Sequence, residues 1–78
     1  MSHAPSDRRS PGFEVRVNGE PQLVPEDCSL QTLVELLGMA DRKIAVAVNR
    51  QVVPRSRFAT RSLSAGDRIE VLEAVGGG

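Results

Sequence analysis

Arg68-Ile69-Glu70-Val71-Leu72-Glu73-Ala74-Val75-Gly76-Gly77-Gly78 closes the sequence. The run Arg68–Leu72 reads as a strand, with Ile69 and Val71 on one face and Leu72 on the other. It leads almost directly into three glycines. These have no side chain to bury and can adopt nearly any backbone geometry, so they add nothing to a core. Their use is therefore expected at their end, in the α-carboxylate of Gly78. That expectation constrains the fold. The last strand has to lie centrally, beside the first strand, so that its apolar residues are covered on one side while the tail projects.

The rest of the chain fits one small domain. Its 78 residues are 40% hydrophobic but only 3% aromatic, so the core has to be built from Val, Leu and Ile. Formal net charge is zero, which gives no global basic field of the kind that nucleic-acid binders present. Cys28 is the one cysteine and His3 the one histidine, which excludes an internal disulfide and a zinc site made of these residue types. This points to a reducing, cytoplasmic setting. No apolar run reaches the about 18 residues of a membrane span, and no signal peptide is evident. Cys28 has no histidine near it in sequence and reads as a small core filler rather than a nucleophile. With no catalytic dyad, phosphate loop or metal cluster in view, the chain is not expected to be an enzyme by its own residues.

From the N-terminus, residues 1–12 read as a disordered arm. They hold Pro5, Pro11, Gly12, three serines and Arg8-Arg9, with no apolar period. Phe13-Glu14-Val15-Arg16-Val17 alternates strictly and predicts a half-buried strand, and Asn18-Gly19 predicts a tight hairpin turn. Gln22-Leu23-Val24, flanked by Pro21 and Pro25, predicts an edge strand. Ser29 is the expected cap of a helix of about two and a half turns that presents Leu30, Leu33, Val34 and Leu37 on one face and ends at Gly38. Ile44–Val48 is a third strand with Val46 and Val48 inward. Asn49-Arg50 turns the chain and Gln51-Val52-Val53 adds a short strand. Ser56–Leu63 has no clean period and reads as a helical turn plus loop. Ser64–Asp67 then turns into the last strand. The order predicts an α+β layer pair, a mixed sheet packed on one main helix.

This order resembles the ubiquitin-like β-grasp fold. Within that fold, Ala45-Val46-Ala47-Val48-Asn49-Arg50-Gln51-Val52-Val53-Pro54-Arg55, then Leu63, Gly66-Asp67-Arg68-Ile69-Glu70-Val71 and the closing Val75-Gly76-Gly77-Gly78, resembles the sulfur-carrier family of thiamine biosynthesis. The likeness covers roughly residues 13–78. It implies a β-grasp domain over residues 13–75 and a flexible reactive tail over residues 76–78. The N-terminal arm and the extra Gly76 depart from the family pattern.

A free α-carboxylate is anionic at neutral pH and a poor electrophile, so sulfur can reach it only after activation. The resemblance implies that a ubiquitin-activating-like adenylyltransferase uses ATP to make an acyl-adenylate at Gly78. A persulfide donor, supplied by a desulfurase or rhodanese, then converts it to a thiocarboxylate, and thiazole synthase receives the sulfur for the thiazole ring of thiamine. No cofactor is expected to be bound, and the chain is expected to be monomeric on its own. Gly76 and Gly77 are expected to thread through narrow channels in these partners, where side chains would clash. By strand parity, Ala47 and Leu72 face away from the helix and form the expected docking face, with Arg50 and Arg55 as basic contacts. From Arg42 to Arg61 every charged residue is basic: Arg42, Lys43, Arg50, Arg55, Arg57 and Arg61. RNA binding is disfavoured by the lack of aromatic stacking residues. Two alternatives stay open on sequence. One is a sulfur carrier for molybdopterin synthesis or tRNA thiolation. The other is a non-catalytic ubiquitin-like interaction module whose tail is incidental.

Overall fold

In the computed structural model, which describes residues 12–74, Val15, Val24, Val46, Val53 and Ile69 arrive from five strands on one face of a single sheet, and each is buried. The strands are β1 (Phe13–Val17), β2 (Glu20–Val24), β3 (Ile44–Val48), β4 (Gln51–Val53) and β5 (Arg68–Glu73), in the spatial order β2-β1-β5-β3-β4. β1 and β5 are parallel and every other pair is antiparallel. The helix α1 (Leu30–Leu36) sets Leu30, Leu33 and Val34 into the same core. This is the mixed sheet under one helix that the sequence predicts, with β5 in the centre and β2 at an edge.

Local chemistry explains the element ends. The Thr32 N–H donates to Ser29 Oγ at 3.1 Å, the expected N-cap. At the other end Gly38 has φ 74°, its N–H donates to Glu35 O, and Met39 N–H donates to Val34 O at 3.0 Å. This pair of bonds is a Schellman motif, and it ends α1 after seven residues. The helix is thus slightly shorter than its apolar period suggests. Leu37 sits at the cap yet still packs on the core. Both predicted turns close hairpins and carry two positive φ angles, 52° and 87° at Asn18-Gly19 and 51° and 71° at Asn49-Arg50. This matches the right-handed twist of the flanking strands.

The segment without a clean period is a 3-10 helix, Arg55–Thr60. It holds Phe58, which is 1% exposed, against the helix side of the core. The chain after it is laced to the start of α1, with Leu30 N–H on Arg61 O at 2.9 Å and Leu63 N–H on Cys28 O at 3.0 Å. A short 3-10 turn that buries one residue leaves no 3.6-residue pattern to read. Gly12, expected in the arm, already belongs to the folded body. With φ 81° it lies so close to the end of β2 that a Cβ there would overlap the Val24 carbonyl oxygen.

Asn18 does more than turn the chain. Its side-chain Nδ2 donates to Val71 O at 3.1 Å and its Oδ1 accepts from Val71 N–H at 2.8 Å. Its own N–H donates to Ile69 O at 2.8 Å. The side chain thereby continues the β1–β5 ladder past the end of β1. Asn18→Gly keeps the left-handed turn and removes only these two bonds. It should lower stability by about 1–3 kcal/mol, the cost of leaving partly buried backbone groups unpaired. An unchanged urea midpoint would show that the side chain contributes nothing.

Candidate functional site

β5 is paired on both sides, by β1 at Arg68 and Ile69 and by β3 from Val48↔Ile69 to Ile44↔Glu73. One further bond extends the β3 side, from Ala74 N–H to Lys43 O at 2.8 Å. The body therefore holds the chain in register to within four residues of Gly78. Val75, Gly76, Gly77 and Gly78 lie outside the described residues, as does the expected boundary between domain and tail.

The sheet face turned away from α1 is exposed and mixed in character. Leu72 is 71% exposed and sits opposite Ala45. Ala47 lies between Glu70 on β5 and Val52 on β4. Val52 and Leu23 are exposed on the two edge strands. Arg16 and Arg68 are direct neighbours across the β1–β5 pair. An open groove of about 950 Å³ beside them is lined by Arg16, Asn18, Gly19, Arg68, Glu70 and Leu72. Of the expected docking residues, Leu72 and Ala47 share this face. Arg50 is exposed in the β3–β4 turn, at the end of the sheet where β5 begins, away from the tail root. Arg55 is held near the tail root, where its guanidinium donates to Ala40 O at 3.2 Å and Arg42 O at 2.6 Å and lies 5.5 Å from the centre of the Phe58 ring.

The same parity argument, applied to every strand, would have added Arg16, Arg68, Glu70, Val52 and Leu23 to the expected face. What parity could not supply is the adjacency of Arg16 and Arg68, which depends on the parallel pairing of two segments some fifty residues apart.

The basic stretch is not one patch. Arg42 pairs with Glu73 at 2.7 Å, Arg55 is spent on backbone carbonyls, and Arg61 donates to Ser62 O at 2.5 Å. Cys28 is 2% exposed and donates its thiol to Ser29 O at 3.3 Å. Burial pushes that thiol above its ordinary pKa, which disfavours the thiolate and makes Cys28 a filler rather than a nucleophile. Among the described residues no group of three His, Cys, Asp or Glu is placed to hold a metal ion, and no helix is long and apolar enough to cross a membrane. His3 lies outside the described residues.

The ThiS family model matches residues 13–78, from the first residue of β1 through the closing glycines. The chain belongs to the ThiS family. As a ThiS-family chain it is a sulfur carrier of thiamine biosynthesis. It is similar to the sulfur carrier protein ThiS of Escherichia coli, with 37% identity over 51 residues, covering 62% of this chain and 77% of that protein. It is also 34% identical over 62 residues to a thiazole synthase of Paramagnetospirillum magneticum, where the match covers 80% of this chain but spans only 19% of the length of that protein. The solved structure of a thiamine biosynthesis protein (ThiS) from Geobacter metallireducens superposes with a TM-score of 0.72 at 30% identity, covering 85% of this chain and all of the other. The β-grasp expectation and the thiamine branch of the sulfur carriers are thus both met.

Proposed function

We propose that this ThiS-family chain carries sulfur as a thiocarboxylate on Gly78 and delivers it to thiazole synthase. The observation that carries this reading is the tail root. β5 lies in the centre of the sheet and is followed by a bond from Ala74 N–H to Lys43 O, so the folded body fixes the point from which the chain continues toward Gly78. An adenylyltransferase of the ubiquitin-activating type attaches AMP from ATP to the Gly78 carboxylate, releasing pyrophosphate. A persulfide sulfur then attacks the acyl carbon and AMP leaves. Cleavage of the S–S bond by a thiol frees the thiocarboxylate.

The chemistry needs a side-chain-free approach. The activating enzyme has to enclose the acyl group and exclude water, which would hydrolyse the adenylate. Glycines pass where a Cβ would clash, but they lose more freedom on docking than any other residue. Binding surface elsewhere has to offset that loss, and the exposed face around Leu72, Ala47 and the Arg16/Arg68 pair is suited to it. Thiazole synthase as acceptor is supported by the P. magneticum relative, in which a carrier-like segment forms about a fifth of a protein named for that activity. A desulfurase or rhodanese supplies the persulfide, and ATP is consumed by the partner rather than bound by this chain.

The test is an intact mass after incubation with the adenylating enzyme, ATP and a persulfide donor. The expected product gains the difference between one sulfur and one oxygen, located on Gly78. No gain under conditions that load a control carrier would refute the proposal. Leu72→Asp places a charge in the middle of the apolar part of the docking face. It should raise KM for adenylation about tenfold or more with little change in the thermal midpoint, because a residue 71% exposed contributes little to the core. An unaltered KM would remove this face from the docking surface.

A further inference from the structure

The geometry points to Arg55 and Arg42 as positioning residues that set where the tail leaves the sheet, and through that the reach of Gly78. This rests on the proposed loading of Gly78 and adds the residues that aim it. The contacts form one line from core to tail. The Arg55 guanidinium lies over the ring of Phe58, which is 1% exposed and so gives Arg55 an immobile base. From there it donates to two carbonyls of the connection between α1 and β3, Ala40 O at 3.2 Å and Arg42 O at 2.6 Å. A planar guanidinium can span two acceptors in this way, whereas an ammonium presents a point charge. Arg42, with its backbone held, sends its own guanidinium to Glu73 at 2.7 Å. Glu73 is the last residue of β5. The bond that follows, Ala74 N–H to Lys43 O at 2.8 Å, lies between the two residues adjoining Glu73 and Arg42.

The line sits where fraying would otherwise begin. β1 pairs with β5 only at Arg68 and Ile69, and the Asn18 side chain extends that side to Val71. Beyond Val71 the end of β5 is held by β3 and by the Arg42–Glu73 pair. Four residues follow Ala74, and a fully extended chain advances at most about 3.5 Å per residue, so Gly78 can reach about 14 Å from the last ladder bond. Each residue released from the ladder would lengthen that reach by about 3.5 Å and let its origin wander. An acyl transfer that depends on placement within about 1 Å is sensitive to such a change. The head would still dock through the face around Leu72, so the loss should fall on kcat rather than KM.

The experiment compares the wild type with Arg42→Ala, Glu73→Ala and the reversed pair Arg42→Glu/Glu73→Arg. The first readout is amide hydrogen exchange in the free protein. An exposed ion pair of this kind should slow exchange at Ala74 about two- to fivefold, so each single variant should speed it by that factor while Val71 is unaffected. The reversed pair should restore it. The second readout is pyrophosphate release with the adenylating enzyme, where each single variant should lower kcat about two- to fivefold at constant KM and the reversed pair should recover it. Arg55→Ala should exceed both single variants in each readout, and Arg55→Lys should recover less than half of the loss. Unchanged exchange at Ala74 in both single variants, or faster exchange with an unchanged kcat, would overturn the assignment. A wild-type chain that the enzyme fails to load would refute the loading of Gly78 instead, and the exchange data would still decide whether the line of contacts holds the tail root.

Discussion

Deletion of Gly78, or addition of a C-terminal tag, is expected to abolish sulfur loading while leaving the thermal midpoint within about a degree of wild type. The reasoning is one of placement. The core is closed by residues from Val15 to Val71, and the last ladder bond is made by Ala74. Gly78 has no side chain to bury, and the hydrogen bonds of β5 among the described residues are all made without it. Its removal does move the α-carboxylate back by about 3.5 Å, onto Gly77, where an enzyme shaped for a longer tail cannot place it for attack. A tag has the same consequence for a different reason, since it replaces the free carboxylate by an amide that cannot be adenylated. Intact mass after loading and a thermal melt read the two halves of this prediction separately. Loading that persists in the truncated chain would show that the terminus need not be Gly78. A large fall in the melt would show that the tail is structural.

The largest effect on stability is expected from Phe58→Ala. Phe58 is among the largest fully buried side chains and lies in the 3-10 helix that packs beside α1. Truncating a buried phenylalanine costs about 3–5 kcal/mol, counting both lost burial and the cavity left behind. A folded unit of some sixty residues has a total stability of only about 3–9 kcal/mol. The variant should therefore be largely unfolded near 37 °C, with its urea midpoint shifted far down or lost. It would also remove the ring under Arg55, so what remains folded should show faster exchange at Ala74. Phe58→Leu keeps most of the volume and should recover most of the midpoint. A Phe58→Ala midpoint close to wild type would mean that the 3-10 segment contributes little to the core.

Much of this fold can be read from short-range pattern. The alternation in Phe13–Val17, the Asn18-Gly19 turn, the Ser29 cap and the Leu30/Leu33/Val34 stripe are local signals, and the structure bears out each of them. The central position of β5 also followed from sequence, because a strand buried on one face that ends in a glycine tail has few other places to go. The 3-10 helix was less legible, since one buried residue in Arg55–Thr60 makes no period. For the docking face, parity suffices for Leu72 and Ala47 but not for the Arg16–Arg68 adjacency, and the expectation of Arg55 as a docking contact carries no sign of its two carbonyl partners, which lie 13 and 15 residues away.

By itself, then, the sequence determined the strand and helix pattern, the aliphatic character of the core and the family motifs that the chain carries. All three depend on residue type and near-neighbour spacing. Only the tertiary structure decided how the tail root is held. That depends on Arg55, Arg42 and Glu73, which are separated by 13 and 31 residues along the chain and meet because β3 returns antiparallel to β5. Contacts between groups so far apart are set by strand register, and register belongs to the assembled sheet rather than to any one segment.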